Sequence, residues 1–158
     1  MFRLGRMTDY GVVVLGQLGG HRTRKLSAPE IAEATGLPGA TVSQVLKTLG
    51  ASGMVSSQRG ARGGYQLARP PEEITVRELV VAFEGPVAVT ACVEGASDNC
   101  AVQSVCLLAG GWEQVNTAIQ AALDSVTLAD LLRPVTQFGR QEAGTSWVNE
   151  QANGGVSA

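Results

Sequence analysis

The sequence predicts a mainly α fold: a winged helix-turn-helix, then a cysteine-bearing loop, then a long dimerisation helix. Three observations carry that expectation. Two short helices with clear start signals are separated by a turn of only a few residues. A glycine-rich hairpin with arginines at its tip follows them. Beyond three clustered cysteines, apolar residues recur at helical spacing.

The elements follow in order. From residue 8 to about 18, Tyr10, Val13, Val14 and Leu18 suit a first helix, with Thr8 as its N-cap. Residues 21–25 (HRTRK) form a basic loop. Ser27, Pro29 and Glu30 mark a strong helix start: serine as cap, proline just inside, and glutamate three residues on to complete a capping box. That helix should stop at Gly36. Residues 37–49 open the second helix of the pair, with Val42, Val45, Leu46 and Leu49 on its apolar face and Gly50 and Gly53 closing it. Residues 54–58 read as a strand, 59–64 as a tight turn, and 65–68 as the returning strand. Ile74 and Thr75 cap a helix from 76 to about 84, broken by Gly85 and Pro86. Residues 87–109 hold the cysteines in a loop. A long amphipathic helix over 111–126 carries Trp112, Val115, Ile119, Leu123 and Val126 on one stripe, and 127–132 begins a further short turn. The polar, glycine-rich stretch after Pro134 reads as a flexible tail. The expected organisation is a DNA-binding domain over 1–85, a cluster loop over 86–110, a dimerisation helix region over 111–133 and a tail over 134–158.

With 158 residues, 44% hydrophobic and 16% charged, the chain fits one domain with a real core. Its apolar runs, such as 11–18 and 78–83, fall far short of the roughly 20 residues a membrane span needs. The first residues show no apolar segment with a small-residue cleavage site, so a soluble, cytoplasmic protein without a membrane partner is expected. The net charge of −2 hides an asymmetry. Residues 1–81 carry ten basic against six acidic side chains, and residues 82–158 carry two against eight. A polyanion-binding front end on an acidic body follows.

Double-stranded DNA is the polyanion these elements suit. A helix such as 39–50 fits the major groove, where its exposed N-terminal side chains reach base edges. Thr41, Ser43, Gln44 and Lys47 lie off its apolar face. Gln44 suits adenine, and Lys47 suits a phosphate. Arg59 and Arg62 sit among glycines that let the backbone come close, so they suit the minor groove or its phosphates. The competing reading is a helical protein-interaction domain with an ordinary hairpin. Helix spacing, wing and local charge agree on DNA instead.

All three cysteines lie within 15 residues, as Cys92-x7-Cys100-x5-Cys106. This is neither the paired spacing of a zinc ribbon nor a thioredoxin motif. Loose spacing on a loop can wrap a larger object, and iron–sulfur clusters are held by thiolates of this kind. Three thiolates leave one position for a ligand of another type, which suits a sensor better than an electron carrier. The simpler reading is three free thiols without metal, against which their clustering beside turn formers weighs. An enzyme reading finds no Cys-x-x-Cys, no Ser/His/Asp order and no phosphate-cradling loop with a following lysine. The glycines at 60–64 belong to a hairpin, so they are no nucleotide fingerprint.

The stretches MTDYGVVVL and LSAPEIAEATGLPGATVSQVLKTLGASGMVSSQRGARGGYQLARPPEEITVRELVVAFEGPV, the three cysteines, Trp112 and VTLADLL together resemble the IscR/NsrR-type winged-helix regulators. The resemblance covers roughly residues 1–132 and within that group is greatest to regulators of SUF iron–sulfur assembly. It implies a homodimer that holds an iron–sulfur cluster in each subunit and represses, or otherwise regulates, iron–sulfur assembly genes at palindromic promoters. It further implies dimerisation through the helix at 111–126 and DNA reading by Thr41, Ser43, Gln44 and Arg59. The chain departs from the IscR branch at the fourth ligand, because that branch's histidine position is Ala109 here. In the NsrR branch an aspartate from the partner's first helix completes a 4Fe–4S site, and the matching residue is Asp9. An acid there also favours the helix dipole without any cluster. Glu94, Asp98 and a small thiol are rival ligands, while His21 matches no ligand position. A 4Fe–4S or a 2Fe–2S cluster remains open, as does a DNA-binding regulator that senses nitric oxide or redox state through the same thiols, with no role in cluster assembly.

Overall fold

The protein is described here by a computed structural model covering residues 3–60, 62–96, 100, 106 and 111–133. Three helices come first, α1 (Arg6–Gly20), α2 (Ala28–Thr35) and α3 (Gly39–Ala51). An antiparallel hairpin of β1 (Val55–Gln58) and β2 (Gly64–Leu67) follows, then a 3-10 turn, Pro71–Glu73. α4 (Val76–Glu84), α5 (Gly111–Asp124) and α6 (Leu128–Leu132) complete the order. This is the mainly α winged helix-turn-helix that the sequence predicts. The tail at 134–158 lies outside the described residues.

Local chemistry sets the helix ends. Ser27 and Glu30 form the expected capping box on α2, and Gly36 ends it in the left-handed region at φ 69°. The same box recurs as Thr75 with Glu78 on α4 and as Thr127 with Asp130 on α6. α1 departs from expectation. It begins at Arg6 with Gly5 as N-cap, and Thr8 lies inside it, 1% exposed. The Thr8 hydroxyl donates to the Glu84 carboxylate at the end of α4 instead, and the same carboxylate accepts from the Gly5 amide at 2.8 Å. A distant carboxylate thus does the work expected of a local cap. Val13, expected on the apolar face, is 44% exposed.

The hairpin pairs Val55 with Leu67 and Gln58 with Gly64. A third segment joins it, because Leu26 exchanges backbone hydrogen bonds with Tyr65 at 3.0 and 2.8 Å. That close approach explains Gly64, and the tightness of the turn itself explains Gly63. A Cβ on Gly64, at φ 146°, would stand 2.8 Å from the Leu26 carbonyl oxygen, and one on Gly63 would stand 2.2 Å from that of Gln58.

One core unites these elements. Val14, Leu15 and Leu18 of α1 pack with Ile31 of α2, with Val42, Val45, Leu46 and Leu49 of α3, and with Met54, Ile74, Leu79 and Leu128. Each such side chain contributes about 1.5–3 kcal/mol on burial. Backbone bonds fasten the α5–α6 corner to this body: Val76 donates to Val126 at 2.9 Å, and Leu128 donates to Ile74 at 2.8 Å.

Candidate functional site

α3 divides its side chains cleanly. Val42, Val45, Leu46 and Leu49 are buried, while Ser43, Gln44 and Lys47 are exposed and Thr41 is half-buried. The 3.6-residue period alone produces this division. Beside α3 the hairpin presents Arg59 and Arg62, both exposed. A groove of about 490 Å³ separates the two, lined by Ser43, Lys47, Ser57 and Tyr65 among others. The structure therefore brings all six sequence-derived DNA candidates onto α3 and the hairpin that flanks it.

Several of the other cations are ion-paired. Arg22 pairs with Glu72, Arg24 with Glu30, Arg69 with Glu78 and Arg77 with Asp124. Among the described residues Lys47, Arg59 and Arg62 have no ion-pair partner, and neither have Arg3, Arg6 and Lys25, but only the first three sit on α3 and the hairpin turn. The Arg24 guanidinium, together with Ser27, holds the Glu30 carboxyl down at about 2, so the start of α2 stays locked in its charged form. Lys25 reaches the Gln58 side chain and ties the basic loop to the turn end of the hairpin.

Residues 87–94, around Cys92, are held by α5. Cys92, Cys100 and Cys106 are half-buried and none forms a disulfide. The Thr90 hydroxyl lies 3.1 Å from Cys92 Sγ. Among the described residues no three His, Cys, Asp or Glu side chains gather as a metal site. Most of the chain between the cysteines, and the Asp98 and Ala109 positions, lies outside the described residues. Asp9 is exposed on α1, and Glu94 is exposed with its amide bound to Glu113.

A polar stripe on α5 escaped the sequence reading. Glu113 accepts from the Glu94 amide at 3.1 Å, and Asn116 accepts from the Val89 amide at 3.2 Å. Gln120 donates to the Val87 carbonyl at 3.1 Å and accepts from Arg77, which also reaches Asp124 at 3.0 Å. These four residues recur every three or four positions, so they share one helix face. That period was the available signal, overshadowed by the apolar stripe with the same period. The apolar side chains are less covered: Trp112 is 43% and Val115 44% exposed.

Comparison with known proteins agrees with this architecture. The Rrf2 family, described as "Iron-dependent Transcriptional regulator", matches residues 4–134. The NsrR transcriptional regulator of Bacillus subtilis is 32% identical over 132 residues, covering 83% of this chain and 90% of that one. The structure of T. potens IscR superposes with a TM-score of 0.61 at 32% identity, covering 88% of this chain and 93% of that one. CymR (YrzC), the global cysteine regulator of B. subtilis, gives 0.64 at 28% identity over 84% of this chain and 97% of its own. No helix among the described residues is long and apolar enough to cross a membrane. These relatives are regulators of transcription rather than enzymes, and the chain belongs to the Rrf2 family of transcriptional regulators.

Proposed function

We propose that this Rrf2-family regulator binds palindromic promoter DNA as a homodimer and controls it through an iron–sulfur cluster held by Cys92, Cys100 and Cys106. The observation that carries the DNA half is the grouping of exposed Ser43 and Gln44 with the unpaired cations Lys47, Arg59 and Arg62. Gln44 offers the amide pair that reads adenine, and the cations meet phosphates or a narrow minor groove.

The donor set fits the cluster. Three unpaired, half-buried thiols supply soft ligands, and the cluster would supply sensitivity to oxygen, nitric oxide or iron supply. Asp9, exposed on α1, is the proposed fourth ligand, given by the partner subunit. Trp112 and Val115 on α5 are the proposed dimer contacts, since their exposure leaves apolar surface for a second copy. The segment bearing Cys92 is hydrogen-bonded to α5 through Val87, Val89 and Glu94, so its order would bear on how α5 and, through the dimer, the two recognition helices are spaced. Half-sites about one helical turn apart make affinity sensitive to that spacing.

The physiological targets in this reading are iron–sulfur assembly genes, with the protein as their repressor. A second reading, a thiol or nitric-oxide sensor without an assembly role, draws on the likeness to NsrR and CymR. DNA affinity of the cluster-loaded and apo proteins, measured at one salt concentration, tests the coupling. A clear difference supports it, and equal affinity refutes it.

A further inference from the structure

Asn116 has no use within the described fold for half of its side chain. It sits in the middle of α5 and is 0% exposed, in a helix whose apolar Trp112 and Val115 face outward. Its Oδ1 accepts from the Val89 amide. Among the described residues, its Nδ2 is the one buried side-chain nitrogen or oxygen without a hydrogen-bond partner. Folded proteins rarely leave such a donor orphaned, and the bond to Val89 uses only the oxygen of the amide. A buried, unused donor therefore implies an acceptor that belongs to the working protein.

The position of Asn116 indicates which acceptor. Val89 and Glu94, the backbone anchors of Asn116 and Glu113, bracket Cys92 in the chain, and their two partners stand one turn apart on α5. The Cys92 segment is thus laid across the face of α5 that carries the orphaned amide. We propose that Asn116 Nδ2 donates a hydrogen bond to an anionic sulfur, thiolate or sulfide, of the group held by the cysteines. The inference rests on the cluster reading above and names a positioning residue within it. Asn116 does two things at once: Oδ1 fixes the backbone leading to Cys92, and Nδ2 stabilises charge on sulfur. Such hydrogen bonds favour the reduced, more negative cluster and raise its reduction potential, and partners of this kind strongly affect retention of the metal.

Two variants separate the donor from the anchor. Asn116→Leu removes both roles, whereas Asn116→Asp keeps an oxygen for the Val89 amide and removes the donor. Purified anaerobically, both variants should lose iron to a chelator about tenfold faster than the wild type. Asn116→Asp should be the faster of the two, and both should show a lower reduction potential. The apo variants should melt and dimerise as the wild-type apo protein does. Wild-type potential and iron retention in Asn116→Asp would overturn the inference, because the backbone anchor alone would then suffice. Apo variants that unfold or dissociate would also overturn it, by assigning the amide to the protomer core or the subunit interface. A wild-type protein that takes up no iron or sulfide would instead refute the cluster reading itself, and this inference with it.

Discussion

Glu84 accepts a hydrogen bond from the hydroxyl of Thr8, 76 residues earlier in the chain, and so joins the end of α4 to the first turn of α1. The Gly5 amide shares the same carboxylate. The Thr8 hydroxyl, with the Gly5 amide, holds the Glu84 carboxyl below its ordinary value of 4.5. A depressed native value means the unfolded chain takes up protons first on acidification. The stabilisation is therefore complete above 4.5 and is lost as pH falls through the lower native value. Thr8→Val should cost about 1 kcal/mol at neutral pH and flatten the acid limb of the apo protein's Tm profile. An unchanged profile would show that the contact contributes nothing.

The wing offers a steric prediction. Gly63→Ala would place a Cβ 2.2 Å from a backbone oxygen, and Gly64→Ala would combine a 2.8 Å contact with φ 146°. Each should destabilise the hairpin by about 1–3 kcal/mol and weaken DNA binding, while the helical far-ultraviolet signal stays near that of the wild type. Wild-type DNA affinity in both variants would show that the hairpin plays no part in binding.

These two sites show how far the sequence could be read. The Ser27–Glu30 capping box, and Thr75 as the cap of α4, were legible because such contacts close within four residues. Thr8 has the same local appearance, yet its partner lies on another helix, and no local pattern discloses that. The apolar face of α3 was legible from period alone, since all four of its predicted members are buried. On α5 the period located the apolar stripe but not the polar one beside it, and did not say which faces inward. Long-range backbone donors decide it, and the polar stripe faces the body because Val89 and Glu94 need acceptors there. The joining of Leu26 to the hairpin was hidden for the same reason, although Gly64, which it requires, was visible.

Base readers and phosphate contacts should behave differently on substitution. Gln44→Ala should cost about 1–3 kcal/mol against the specific operator and leave non-specific affinity nearly unchanged. Lys47→Ala and Arg59→Ala should weaken all sequences and reduce the salt slope by about one each if they meet phosphates. Fluorescence anisotropy over a salt series checks both. A Gln44→Ala loss equal on specific and random DNA would remove Gln44 from the reading role.

Trp112→Glu and Val115→Glu should convert the proposed dimer to a monomer without loss of helix, since both side chains are already 43–44% exposed in the protomer. Light scattering after size exclusion reads the mass directly. A dimer that survives both charges would place the interface elsewhere.

The most direct test of the account is the iron and acid-labile sulfide content of anaerobically purified protein, read with its visible absorbance spectrum. The account predicts a brown protein with about two or about four iron atoms per chain and matching sulfide, lost in Cys92→Ala, Cys100→Ala and Cys106→Ala. A colourless protein without sulfide, even after anaerobic reconstitution, would contradict it and leave a winged-helix regulator whose cysteines act through thiol or zinc chemistry.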